Sequence, residues 1–105
     1  MLKVPRRIQV GGHLYQIRFN PAVQDDDRWG QVNNRTQTID LDPGRPLSQR
    51  RDVLIHEILH IINNVYANQA LEEKTIDAIS EGLNQVLPQL GGEFDWSGLE
   101  CVGCK

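Results

Sequence analysis

Midway along the chain the hydrophobic pattern changes period, and that change fixes the class of fold. In the first half, Ile8 and Val10 alternate with polar residues, Gly11-Gly12 intervene, and Tyr15, Ile17 and Phe19 alternate again. A period of two is the strand signature, and the glycine pair supplies the positive φ angles of a tight hairpin. Pro21 and the run Asp25-Asp26-Asp27 break the pattern, after which Trp29, Gly30 and Val32, then Thr38, Ile39, Asp40 and Leu41, predict two more short strands. Trp29 and Thr36 stand where a calcium loop needs acids, so the aspartate run reads as a solvated turn. Beyond Asp42-Pro43-Gly44-Arg45-Pro46 the spacing becomes helical. Val53, Leu54, Ile55, Ile58, Ile61, Ile62 and Val65 predict a helix from about Gln49 to about Tyr66, with Ser48 as its N-cap and Asp52 in its first turn. A second helical pattern places Ile76, Ile79, Leu83, Val86 and Leu87 on one face and ends near Pro88 and Gly91-Gly92.

Strands first and helices second predict an α+β domain, a small antiparallel N-terminal sheet packed on the first helix with a second helix after it. A length of 105 residues corresponds to one domain over 1–105, with a β-rich part at 1–47, a helical part at 48–90 and an irregular tail at 91–105. With 39% hydrophobic and 24% charged residues, disorder and coiled coil are excluded as classes. Eleven basic residues against fourteen acidic ones give a net charge of -3, which argues against binding nucleic acid by phosphate neutralisation. Arg45, Arg50 and Arg51 at the helix entrance keep a DNA-contacting reading open, although such arginines are more often solvated. No apolar run is long enough to span a bilayer, and Met1 to Val10 lack the apolar core of a secretory signal, so a cytoplasmic protein is expected. Cys101 and Cys104 form half of a metal-site spacing; a plain tail, an intermolecular contact or partner-completed metal site, and a redox pair all stay open.

The chemistry is concentrated in His56-Glu57-Ile58-Leu59-His60, inside the first helix. Residues four apart stand one turn above each other, so both imidazoles project from one side and can hold one zinc ion. That side lies nearly opposite the stripe of Leu54, Ile58, Ile61 and Val65, so one face anchors the helix while the other offers ligands. Glu57 is angularly close to both histidines and can reach a metal-bound water as a general base. A bland reading exists, two histidines and a glutamate sharing a solvated face. The chain has only three histidines, however, and two fall in this motif with the glutamate in place.

With Val53-Leu54-Ile55 before it and a helix running through Glu72-Glu73 and Ile79-Ser80-Glu81-Gly82-Leu83 after it, the motif resembles the small HEXXH zinc metallopeptidase-like proteins of phages and prophages. These are similar to the ImmA/IrrE-type metallopeptidases and more distantly to minimal zincins of the gluzincin kind. The resemblance covers about Ser48 to Leu87. It implies a bacterial or phage-encoded protein, a sheet packed on the active-site helix, and a third zinc ligand from the second helix. Asn63 and Tyr66 stand where a metzincin needs glycine and histidine, which excludes that pattern. Three acids are available, Glu72, Glu73 and Asp77. The gluzincin-like pattern of a glutamate ligand followed by an aspartate that orients a histidine implies Glu73 with Asp77 behind it. The helical wheel keeps Glu72 open, because it lies at the centre of the stripe of Ile76, Ile79, Leu83 and Leu90, and Asp77 as the ligand or no third protein ligand at all also stays open.

Three protein ligands leave a position for water, which the metal acidifies and Glu57 deprotonates for attack on a peptide carbonyl. Tyr66 and His13 are oxyanion donors by residue type only. The resemblance further implies a protein or peptide substrate lying along an exposed strand edge, for which the region from Trp29 to Leu41 is the better choice. The rival from another class is a catalytically silent zinc-binding adaptor acting through protein interaction in a phage or prophage programme. Glu57 separates the two, since a structural site needs no proton acceptor there.

Overall fold

A computed structural model of the chain describes residues 2–103. They form an α+β domain with six strands and two helices among the described residues, in the order β1 (Leu2–Lys3), β2 (Arg7–Val10), β3 (His13–Phe19), β4 (Gly30–Asn33), β5 (Thr38–Leu41), α1 (Leu47–Val65), α2 (Glu73–Val86) and β6 (Phe94–Asp95). Strands β2 and β3 form the expected hairpin, with Val10 opposite His13. Gly11 takes φ 61° at its turn, whereas Gly12 does not take the positive φ expected of the pair. A Cβ there would also stand 2.6 Å from Val65 Cγ1, so this glycine lets the hairpin tip close on the end of α1.

The main sheet runs β2-β3-β5-β4 and is mixed, which corrects the expectation of an antiparallel sheet. After β3 the chain crosses through a 3-10 segment, Pro21–Asp26, capped by the Asn20 side chain on the Ala22 N–H. It then lays β4 on the outer edge before β5 returns between β4 and β3, parallel to β3. Burial explains the order. All four residues of β5 are buried, as a central strand requires, whereas β4 is half-exposed and suits an edge. Tyr15, Ile17, Phe19, Ile39 and Leu41 pack with Leu54 and Ile61 of α1 to form the core. On the opposite face of the sheet Arg18 reaches Asp40 at 2.5 Å, with Asn20 donating to the same carboxylate at 3.2 Å.

Helix α1 begins two residues before Gln49, so Ser48 is not its N-cap; Pro46 holds that position without a side-chain bond. The entrance is fixed instead by Arg50, which folds back to donate to the carbonyls of Pro43 at 2.6 Å and Arg45 at 2.8 Å. Asp52 therefore lies beyond the first turn, where it accepts from the Ser80 hydroxyl of α2 at 2.6 Å. Arg45 stacks over Trp29, and Arg51 donates to Asn84, so all three arginines of the entrance engage groups of this chain.

Helix α2 packs on α1 with the face carrying Glu73, Ile76, Asp77, Ser80 and Asn84. Its apolar stripe does not face the core as its periodicity suggested. Ile76 is 1% exposed, but Ile79 is 39%, Leu83 38% and Leu90 76% exposed. The reason is chemical, since the buried seam is built from hydrogen bonds and the carboxylates that meet the α1 histidines. The segment after residue 91 lacks a period yet is ordered by pairing. Strand β6 runs parallel to β1, Trp96 is buried beside Phe19 and Phe94, and Glu100 and Val102 bond to the Phe19 backbone. Cys101 bridges to Phe19, while Cys104 lies outside the described residues. No described helix is long and apolar enough to cross a membrane.

Candidate metal centre

Helix α1 lies between the sheet and α2, so the face expected to offer ligands is met by the second helix. Three donors converge there. His56 Nε2 lies 3.0 Å from His60 Nε2 and 3.1 Å from Glu73 Oε1, and His60 Nε2 lies 3.4 Å from Glu73 Oε2. Ligands about 2.0–2.1 Å from a tetrahedral zinc ion stand about 3.3–3.4 Å apart, so these separations are close to the edges of such a tetrahedron. Among the described residues, His56, His60 and Glu73 form the group able to hold a metal.

Hydrogen-bond chemistry supports the fit more strongly than distance. His56 Nδ1 stands 3.2 Å from Asp77 Oδ1. An ionised carboxylate only accepts, so the proton of this imidazole belongs on Nδ1 and Nε2 keeps its lone pair. That lone pair faces the Glu73 carboxylate, a second acceptor. Two acceptors in contact need a donor or a cation between them, and His60 Nε2 as an N–H, a proton on His56 or a metal ion each fills that place. The donor set of two imidazoles and a carboxylate suits zinc.

The other acids fall into place around this cluster. Asp77 is the group that orients His56. Glu72 stands at the N-cap of α2, largely exposed and 3.7 Å from Lys74, away from the histidines. The argument that aimed Glu72 at a core assumed the apolar stripe to be the buried face of α2, and it is not.

Glu57 is 9% exposed, held between α1 and the edge strand β4. Burial pushes its carboxyl above the ordinary value; Glu73 adds to the rise, while His60, Arg28 and the Val32 N–H oppose it. Two open cavities flank it, of about 370 Å³ and 450 Å³, and both are lined by Arg28, Gly30 and Glu57. One extends toward His60, Asn63 and Asn64, the other toward His56, Asp52 and Trp29. Gly30 makes this approach of strand to helix feasible, because a Cβ there would stand 2.6 Å from Val53 Cγ1 and 3.1 Å from the Asp40 carbonyl.

Neither oxyanion candidate lines these cavities. His13 begins β3 beside Gln37, and Tyr66 ends α1 near Gly11, largely exposed. The cation that does stand beside Glu57 is Arg28, which sequence reasoning missed. Its one signal was position, directly before the strand that precedes the helix. No family model, curated protein or solved structure matches the chain.

Proposed function

We propose that the protein is a zinc-dependent peptidase of the minimal zincin kind, with His56, His60 and Glu73 as ligands and Glu57 as general base. The observation that carries the reading is the conjunction of three facing donors, two of them opposed acceptors, with a buried carboxylate one residue along the same helix. A bound zinc ion supplies Lewis acidity, making a water more acidic and polarising a carbonyl. Asp77 keeps the His56 proton on Nδ1 and so directs the Nε2 lone pair at the site. Glu57 takes a proton at its carboxylate from the attacking water and returns it to the departing amine. Its burial raises its basicity toward that task. An extended peptide fits along the open edge of β4, where both cavities meet.

The test begins with zinc content per chain of a Cys101→Ser/Cys104→Ser protein, with and without His60→Ala. One zinc, lost in His60→Ala, together with cleavage of an unfolded protein that is abolished by Glu57→Gln, supports the reading. No zinc in metal-replete buffer refutes it. A second reading, a zinc-holding adaptor without catalysis, is favoured by the exposed stripe of Ile79, Leu83, Val86 and Leu90. Zinc binding with identical behaviour of parent and Glu57→Gln toward unfolded protein would select it.

A further inference from the structure

The two cavities beside Glu57 differ in charge, and the difference points to a substrate preference. The cavity toward His56 includes Asp27 and Asp52 in its wall. The cavity toward His60 has no carboxylate except Glu57. Its remaining polar wall is made of Arg28, His60 and five carboxamides, and the hydrogen bonds of the three asparagines among them can be traced. Asn63 is saturated by the Leu71 backbone, accepting at 3.0 Å and donating at 3.2 Å. Asn34 Oδ1 accepts from the buried Tyr15 hydroxyl at 2.8 Å, and Asn64 Oδ1 accepts from Gln69 Nε2 at 3.1 Å. Asn34 and Asn64 thus each use one lone pair of the side-chain oxygen and keep an NH₂ without a partner among the described residues, whereas Asn63 uses both ends. The Arg28 guanidinium has no ion pair or side-chain hydrogen bond among the described residues. In a wall that also holds the Glu57 carboxylate and His60, a guanidinium without an ion pair and two amide NH₂ groups without partners among the described residues can receive an acceptor of negative charge.

We propose that this cavity binds a carboxylate of the peptide, gripped by Arg28 and by the amides of Asn34 and Asn64, so that the site prefers peptides bearing an acid next to the bond held at Glu57. The inference rests on the peptidase reading for its peptide, and its ligand chemistry has two sources, an Asp or Glu side chain or a free C-terminus. Arg28 is a specificity residue in this scheme.

The experiment uses zinc-loaded full chain and two pairs of probes differing only in charge. N-acetyl-Gly-Gly-Asp-Gly-Gly-amide is compared with its Asn counterpart, and N-acetyl-Gly-Gly-Gly with a free carboxylate is compared with the amide. Affinity is read by calorimetry, and mass spectrometry of the same samples records cleavage. The acid member of at least one pair is expected to bind about tenfold more tightly, as a charge-assisted grip implies. The pair that shows the preference identifies the source. Arg28→Gln should reduce the preference to less than about twofold, and Arg28→Lys should restore part of it. Arg28 is exposed, so both variants are expected to melt with the parent. Equal affinities within both pairs, or no binding at millimolar peptide, would overturn the proposal. So would a preference that survives Arg28→Gln, because the carboxylate would then sit on the metal. An Arg28-dependent preference with no cleavage of these probes or of unfolded protein would sink the peptidase reading alone and leave the carboxylate site standing.

Discussion

On the proposed zinc site, removing the Asp77 carboxylate should weaken metal binding without removing one of the proposed ligands. Asp77 Oδ1 lies 3.2 Å from His56 Nδ1 and faces no donor atom of the ligand set directly. With the carboxylate gone, the neutral imidazole is free to carry its proton on Nε2, and each metal-binding event must first move that proton and reorient the ring. Losses of this kind are about 10–100-fold in affinity. The Asp77 side chain is 50% exposed, so water replaces part of the lost interaction and the lower end, about tenfold or about 1.4 kcal/mol, is the expected size for Asp77→Ala. Competition against a chromophoric chelator at neutral pH, in a Cys101→Ser/Cys104→Ser background, gives the constant directly. Two controls bracket the value. Glu73→Ala removes a ligand and should lose more than Asp77→Ala, whereas Glu72→Ala, far from the histidines, should change affinity by less than about twofold. An Asp77→Ala affinity equal to that of the parent would refute the reasoning about the tautomer. A Glu72→Ala loss as large as that of Glu73→Ala would refute the assignment of the third ligand.

Other perturbations test the fold that positions the site. Gly11→Ala puts a Cβ on a φ 61° backbone against Val65 and should cost about 2–4 kcal/mol in urea unfolding, while Gly12→Ala, whose Cβ meets nothing within 4 Å, should cost less than about 1 kcal/mol. Ile76→Ala, in the seam between α1 and α2, should cost about 2–5 kcal/mol; Val86→Ala, on the exposed stripe of α2, should cost less than about 1 kcal/mol, and the reverse order would mean that α2 faces the other way. Burial alone would raise the Asp42 carboxyl, but hydrogen bonds from Gln24 and Gly44 and the charge of Arg45 outweigh it, and the group sits below its ordinary value. Its stabilising contribution is therefore present above the unfolded pKa and disappears as pH falls through the folded one. Asp42→Asn should accordingly lower the melting temperature more at neutral pH than in acid, and an equal loss at both would contradict the assignment.

The parts of this molecule that were legible in the sequence are those where one local rule decides. Val53 to Val65 could only be a helix with an apolar face, and a histidine pair four apart on it could only point one way. The Gly11-Gly12 hairpin was equally local. What the sequence hid depends on pairing between distant segments. Nothing in Thr38–Leu41 announces that it will lie beside His13–Phe19 rather than at an edge, except that all four residues suit burial. The tail after residue 91 has no period because its order comes from partners, β1 and the Phe19 backbone. Helix α2 is the sharper case. Its hydrophobic period named a face for burial, but the carboxylates of Glu73 and Asp77 meet His56, and Ser80 and Asn84 bond to Asp52 and Arg51. Four polar contacts along one seam outweigh a stripe that can bury only where something covers it. The same seam explains why Glu73 reaches the histidines, since it is the first helical residue on the face of Asp77 and Ser80, whereas Glu72 is the extended N-cap residue before it. The rotation of α2 about its own axis is thus what selects the third donor, and it is set by hydrogen bonds four to eleven residues away from it.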